Sequence, residues 1–481
     1  VKRDALGHTE RVEFLKNIWM PYPSARANWL DVAEVAAETI SGKSLGHRQD
    51  GWQVAGRLEF ISQDKFILSS GGAQISVYWG PQLTWLEPQR EGSPFCSTLL
   101  RKGDLVCVKV FVMPADSAVE SSLESAMASA MASLSPQDES LNLEARKILL
   151  LAPGQANEVV SSPFSISRSR EWADFVDAVR GFFNQQRFIE AATPTLVPSP
   201  GTEPFLDPFR TEWQFGSIRR EYFLPTSPEF HLKKMLTMGW TRIFEFKSCF
   251  RNGEISEHHQ PEFLMLEWYR AYSNLKVIAN DVESLIGQLA AKFCPEKQIP
   301  NLKRTTISQL FKDCLCFSLT PQTTRFELLE LAKSHGLDCR GDDSWDDIYF
   351  RLFLEKIESK LGMDGPVLVS DYPPSQAALA RIGQNGFADR FEVYWRGLEL
   401  ANAFHELNDP AGNEERFRDD SIKKAALGKA PVPVDDELMA CIRAGMPPAG
   451  GIALGMERLF MALFEIDSIS ETRAFSISAK S

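Results

Sequence analysis

The sequence predicts a two-domain α+β protein: a small antiparallel β-barrel of OB type, then a larger domain of helices and strands. Three observations carry this. At 481 residues the chain exceeds what one core usually organises. Residues 51–112 alternate apolar and polar positions in short runs broken by turns. From Ser167 the apolar period changes to that of a helix.

The barrel comes first. Residues 52–61, 66–69, 73–79 and 105–112 read as strands with one buried face, with turns at 62–65 and 70–72. An OB-type barrel is the leading form for such strands. Residues from about 113 to 140 are rich in alanine and serine, an insert expected to be helical or mobile. The first domain is placed at residues 1–165 and the second at 166–481. In the second, Trp172, Phe175, Val176, Val179, Phe182 and Phe183 recur at helical spacing, with Ser169 as a candidate cap. A proline-rich turn region covers 193–208. Strand-like runs at 242–251 and 261–272 enclose polar residues 252–260, a long-looped hairpin. Residues 450–460 read as a glycine-rich strand entering a helix, by itself a weak pointer to phosphate. There are no internal repeats.

Apolar content of 44% and charged content of 24% describe an ordinary soluble chain. No uninterrupted apolar stretch is long enough to span a bilayer, and the first residues lack the apolar core of a secretory signal. A cytoplasmic protein with no membrane partner is expected. Of eight cysteines, the closest pair, Cys314 and Cys316, is too tight for usual zinc spacing, so buried free thiols are expected. Net charge is −12, and residues 1–165 carry 15 basic against 19 acidic side chains, a balance that does not favour a nucleic-acid surface. Trp79, Trp85 and Phe95 are candidates to stack on bases, but core packing is the commoner fate of barrel aromatics.

The chemistry concentrates at residues 397–410, Gly-Leu-Glu-Leu-Ala-Asn-Ala-Phe-His-Glu-Leu-Asn-Asp-Pro. Glu399 and Glu406 sit in an otherwise apolar setting with Asn402 and His405, where a carboxylate needs a cation, a donor or water. Alone, the pair also admits a blander reading, a half-exposed edge strand with two solvated acids. A regular strand would put acids seven apart on opposite faces; a helix or a bulged strand would bring them together. Arg251 closes the first hairpin strand, and Arg458 follows the glycine-rich tract. Two arginines with two acids suit ATP: guanidinium groups take phosphate oxygens and carboxylates hold the bridging magnesium. Glu267 and Tyr269 share a strand face opposite Trp268, where an acid and a phenol suit an ammonium group.

These residues carry a resemblance. Ser227-Pro-Glu229, Phe250-Arg-Asn252, Pro261-Glu-Phe263 and Leu266-Glu-Trp-Tyr269 resemble the motif 2 region of lysine-specific class II aminoacyl-tRNA synthetases. The 397–410 run and Ala453-Leu-Gly-Met-Glu-Arg458 resemble the terminal acid strand and motif 3, and Pro194 the motif 1 proline of the dimer interface. The resemblance spans roughly residues 165–481 and implies an antiparallel class II sheet flanked by helices, in a homodimer. Within that superfamily, Asp389-Arg-Phe-Glu-Val-Tyr-Trp395, His405, Ser375–Ala380, Ala474–Ile477 and Ala453 resemble the elongation factor P (R)-β-lysine ligases rather than the lysyl-tRNA synthetases. An N-terminal barrel is more typical of the synthetases.

The resemblance implies ATP and Mg2+ as cofactors and lysine or (R)-β-lysine as substrate. Arg251 and Arg458 are the implied catalytic pair, on the α- and γ-phosphates. Asn252, Glu254, His259, Gln260, Glu399, Leu400 and Gly455 join them around ATP. Glu399 and Glu406 hold the metal. Ser227, Glu229, Glu267, Tyr269, Asn402, Glu406 and Ala453 form the substrate site, with Glu229 on the backbone-side ammonium and Glu267 and Tyr269 on the ε-ammonium. The adenylate then acylates a lysine of elongation factor P or, in the alternative reading, tRNA. One departure stands out: Gly253 occupies the place of the glutamate that meets adenine, leaving Glu254 to substitute and a catalytically dead relative open. Gln260 replaces an asparagine in the same loop.

Overall fold

The computed structural model describes residues 30–31, 52–61, 65–70, 73–85, 105–112, 143–152 and 166–477. Contacts divide the chain into two compact units, Val1–Ser167 and Arg168–Ser481.

In the first unit the strands are Leu30–Asp31 (β1), Trp52–Ile61 (β2), Lys65–Ser70 (β3), Ala73–Trp85 (β4), Leu105–Val112 (β5) and Leu143–Ala152 (β6). Their order is β1-β2-β3-β4-β6-β5, and β2 pairs with β5 as well. The β1–β2 and β4–β6 pairs are parallel, so the sheet is mixed rather than antiparallel. Leu58, Phe66, Leu68, Val77, Val106 and Val108 are buried at alternating positions, as one-faced strands require. The insert at 113–140, Phe95, and the side chains of Trp79 and Trp85 lie outside the described residues.

The second unit is built on eight strands: Ile189–Glu190 (β7), Arg242–Phe250 (β10), Glu262–Ala271 (β11), Lys303–Thr306 (β12), Val367–Tyr372 (β13), Ala388–Trp395 (β14), Leu398–His405 (β15) and Ala449–Gly455 (β16). The order is β12-β13-β14-β15-β16-β11-β10-β7. The six central strands are antiparallel, whereas β12 and β7 add parallel edges, so the expected antiparallel sheet is mixed. A separate hairpin, Arg210–Phe215 (β8) with Ile218–Phe223 (β9), lies between β7 and β10 in sequence. The 242–271 hairpin forms in full register, Glu245 opposite Glu267.

One face of the sheet is covered by helices Ile166–Gln185 (α1), Leu275–Phe293 (α3) and Met456–Phe464 (α9). Phe175, Val179, Phe182 and Phe183 of α1 join Trp268, Ile452 and Phe460 in that core, the outcome their spacing demands. Helix α1 starts at Ile166, so Ser169 lies inside it rather than at its cap. Helices Ile307–Leu315 (α4), Arg325–Ser334 (α5) and Trp345–Lys356 (α6) form a second core against β13. Helix Glu229–Thr237 (α2) packs with Pro410–Ala426 (α7) and Asp436–Gly445 (α8). Cys249 and Cys294 are buried as expected of structural thiols, but Cys314 and Cys316 are exposed, correcting that expectation for the tight pair. No helix among the described residues is long and apolar enough to cross a membrane.

Candidate active site

Strand alternation sends Leu266 and Trp268 into the helix-covered core and Met265, Glu267 and Tyr269 to the opposite face. Across that face, register aligns Glu392, Asn402, Ala453 and Glu267 in one row over four strands. A cavity of about 490 Å³ opens over it, lined by Ser227, Glu229, Arg251, Glu254, His259 and Gln260 from the α2 and hairpin side. Glu267, Glu399, Leu400, Asn402, Ala453, Gly455 and Arg458 line it from the sheet.

At one end the carboxylates gather. Glu267 is almost wholly buried and accepts hydrogen bonds from Ser227 Oγ at 2.6 Å and Tyr269 OH at 3.2 Å. Burial, then the charge of Glu229, lifts its pKa well above the carboxylate range. Glu229 meets Lys233, one helical turn on, at 2.5 Å, and the same Lys233 Nζ lies 2.7 Å from Glu406. Burial opposes the Lys233 charge, but the two carboxylates overcome it and raise its pKa. One lysine cannot neutralise two acids. Burial and Glu229 outweigh it at Glu406, whose pKa is raised. Gly451 makes room: a Cβ there would stand 2.2 Å from Glu406 Oε1 and 2.3 Å from the Tyr269 ring.

At the other end Arg251 lies over the Phe263 ring, 5.0 Å from its centroid, and Glu254 Oε2 is 3.9 Å from its Nη1. Arg251 Nε is buried without a hydrogen-bond partner among the described residues. An orphaned guanidinium donor in a cavity fits an incoming phosphate or carboxylate oxygen. Arg458 is already aimed: Nη1 donates to the Glu399 carbonyl at 2.8 Å and Nη2 to His259 Nε2 at 2.6 Å. His259 Nδ1 sits 2.9 Å from Ser256 Oγ, so the ring proton belongs on Nδ1. Arg390 donates to Asn402 Oδ1 at 3.0 Å and bonds Glu392, which also accepts from Tyr372 and Tyr394.

Of the alternatives left open, strand β15 takes the bulged one: Val393 pairs with Ala401 but Tyr394 with Glu399, leaving Leu400 extra. Glu399 thereby joins the cavity face. The metal pair nevertheless fails, because seven residues of strand separate Glu399 from Glu406 by about 20 Å, and Glu406 is tied to Lys233. Sharing a face is not adjacency. The acid that acts most strongly on Glu399 is Glu392, which with burial pushes Glu399 up to about 7. Among the described residues no three His, Cys, Asp or Glu side chains gather to hold a metal by themselves. Glu399, with Glu392 beside it, still fits a magnesium carried mainly by phosphates, which needs only one or two carboxylates.

Three other expected site residues are placed less directly. Asn252 is exposed, outside the cavity lining, with its N–H donating to Asp207 O at 2.8 Å. Gln260 lines the cavity but its Oε1 accepts from Ile477 N. Tyr269 reaches the site only through Glu267. His405, between the two acids in sequence, is not in the lining, and its Nδ1 is 2.6 Å from Asp389. Sequence reasoning gave no role to Lys233, Arg390, Glu392, Phe263 or Glu203, although Phe263, Arg390 and Glu392 stand in the runs that carry the resemblance. The i,i+4 spacing of Glu229 and Lys233 was a usable signal; the others come together only through register or a loop.

Residues 166–479 match the family described as tRNA synthetases class II (D, K and N). Among curated proteins, the chain is 35% identical to the elongation factor P–(R)-β-lysine ligase of Pectobacterium atrosepticum over 65% of its own length and 96% of that protein. It is 37% identical to the ligase of the same name from Vibrio parahaemolyticus over 65% and 96%. The corresponding Haemophilus ducreyi protein is 36% identical over 62% and 90%.

Proposed function

Because this chain belongs to the class II tRNA synthetases of the D, K and N group, and within them to the elongation factor P–(R)-β-lysine ligases, we propose that it activates (R)-β-lysine, or lysine, as an aminoacyl-adenylate and transfers it to a lysine side chain of elongation factor P. The enzyme is an ATP-dependent ligase. One observation carries the substrate reading: a single cavity has at one end a buried carboxylate, Glu267, and at the other an arginine donor, Arg251 Nε, neither of them paired with an opposite charge or acceptor among the described residues. A molecule with an ammonium at one end and an anionic reacting centre at the other satisfies both.

Arg251 would orient the amino-acid carboxylate and the α-phosphate, so that a carboxylate oxygen attacks phosphorus as the bond to pyrophosphate breaks. Arg458, held by His259 and the Glu399 carbonyl, would take the outer phosphates, with Gly455 leaving the approach open. Phe263 and Glu254 offer a face and an acceptor to the base in place of the glutamate that Gly253 replaces. Glu399 and Glu392 would hold magnesium, which supplies charge neutralisation on the phosphates when bound. The acceptor amine then attacks the acyl carbon, AMP leaves, and the amine loses a proton. Glu267 and Tyr269 position the distal ammonium, and Ser227, Asn402 and Ala453 shape the pocket around it. Catalysis rests on positioning and charge stabilisation, with no protein nucleophile.

The strand order of the first unit, in which β2 pairs with both β3 and β5, supports an OB-like barrel there. The test of function is ATP–pyrophosphate exchange with (R)-β-lysine and with lysine, followed by transfer to elongation factor P or to tRNA. Adenylation and labelling of elongation factor P are expected; efficient tRNA charging would overturn the ligase reading, and ATP binding without exchange would mark a dead relative.

A further inference from the structure

Two features of the sequence take no part in the reaction described above: Gln260 in place of an asparagine, and the run Ala474–Ile477. They meet in one hydrogen bond, Ile477 N donating to Gln260 Oε1 at 3.0 Å. That bond is one of three. Beyond α9 the chain makes a 3₁₀ turn, Ile469–Thr472, and passes along the loop between β10 and β11. Ile469 N donates to Glu257 O at 2.8 Å, and Arg473 Nη1 donates to Glu262 O at 2.9 Å. Thr472 Oγ1 closes the turn on Ile469 O at 2.7 Å, with both residues buried. Arg473 Nη2 also pairs with Glu457, buried in the first turn of α9, whose carboxylate accepts from Leu264 N at 3.0 Å. Residues 469, 473 and 477 are thus three anchors, four residues apart, on the loop and its exit into β11.

The loop needs such ties. Asn252, Gly253 and residues 255–258 are exposed, and the bonds between Ser256 and His258 or His259 are local. Yet Glu254, His258, His259 and Gln260 all line the cavity, and His259 holds Arg458 at 2.6 Å. A loop fixed before the ligand arrives spares the ligand the entropy of ordering it. The Gln260 amide is oriented by the same contact. A peptide N–H can only donate, so oxygen must be the atom that faces Ile477, and Nε2 is the end left for the cavity. An amide nitrogen presents donors, which suit a phosphate oxygen or a ring nitrogen of a nucleotide and not an ammonium.

We propose that residues 469–477 are a positioning element of the nucleotide site: they hold the 252–262 loop over the cavity, and the Ile477 N–H turns the Gln260 amide so that Nε2 donates to ATP. This rests on the ATP-dependent reading above. The ammonium end of the cavity is held by other elements, Ser227 before α2 and Tyr269 on β11 bonding Glu267. The segment therefore acts on ATP and leaves amino-acid binding alone.

The experiment uses the full chain with Ile477→Pro, which deletes one N–H at unchanged length, and Ile477→Ala, which keeps the N–H and trims the side chain. Ile477 is 55% exposed, so neither change empties a core. Pyrophosphate exchange with (R)-β-lysine and lysine gives KM for ATP and for the amino acid, and titration calorimetry gives Kd for ATP directly. Ile477→Pro is expected to raise KM and Kd for ATP by about threefold to tenfold, the loss of one hydrogen bond and the order it imposes. Its kcat and amino-acid KM should stay within about twofold of wild type, as should every constant of Ile477→Ala. In a Gln260→Ala background the proline should add nothing, because its acceptor is gone. Unchanged ATP affinity in Ile477→Pro, an equal loss in Ile477→Ala, an equal rise in amino-acid KM, or a proline effect that persists without Gln260 overturns the proposal. A wild type that binds ATP but exchanges with neither amino acid overturns the activating reading, while the ATP affinities still decide this one. A wild type that binds no ATP overturns both.

Discussion

Lys233 shows how a single side chain sets the electrostatics of the site. It is about 1% exposed and stands between two acids, so replacing it with an uncharged chain leaves two buried carboxylates facing each other. Lys233→Met is expected to cost about 3–5 kcal/mol of stability, the usual penalty for breaking a buried pair. Urea unfolding measures this, and adding Glu406→Gln should restore part of it; a variant as stable as wild type would show that the pair carries no weight. His259 makes a pH prediction. Its pKa falls from 6.5 to about 4 in the fold, because burial and then the Arg458 and Arg251 guanidinium groups oppose a further positive charge. As pH drops, the unfolded chain binds this proton first, so stability is lost between pH 6.5 and about 4 and is untouched above pH 7. His259→Asn should flatten that stretch of a stability–pH profile measured by urea unfolding. An unchanged slope would locate the acid sensitivity elsewhere.

At the scale of elements, the hairpin was legible in the sequence because strand alternation is a local property. The β15 bulge was one alternative beside a helix, and only the register decides it. What the bulge places together was not legible either. Reading Glu399 and Glu406 as a metal pair used their shared face and neglected the rise along a strand, about 3.3 Å per residue. The true neighbour, Glu392, comes from the next strand, and only register reveals it. Lys233 was accessible from helix spacing, whereas Glu203 depends on a loop held by Lys424 from α7, more than 200 residues away. The same register makes β16 sensitive to bulk in an uneven way. Gly451→Ala would drive a methyl into Glu406 and Tyr269, moving the phenol that donates to Glu267. It should destabilise by about 1–3 kcal/mol and lower kcat/KM. Gly455→Ala, whose nearest atom is Arg458 Cδ at 3.7 Å, should be nearly silent in stability. Equal effects at both positions would mean the strand shifts as a body.

At the scale of the molecule, the catalytic unit leaves apolar surface near its β7 edge. Ile189 is 54% exposed, Leu196 48% and Trp240 38%, and Pro194, matched to the interface proline of motif 1, is exposed as well. The β8–β9 hairpin adds Phe215 at 70% and a Trp213 ring stacked on it. Isolated exposed hydrophobes need no explanation, but several along a sheet edge mark a surface suited to a partner. A second copy fits best, since a two-fold contact matches one patch with itself. We therefore predict a homodimer. Sedimentation equilibrium at micromolar concentration should give twice the chain mass, with a melting temperature that rises with protein concentration. Leu196→Asp should yield monomers that keep the fold, because the residue is already half exposed in the single chain. Such a monomer should still bind ATP, because a single chain already forms a cavity lined by Arg251, Glu399 and Arg458. A wild type that sediments as a monomer at all concentrations would show that this face serves another partner.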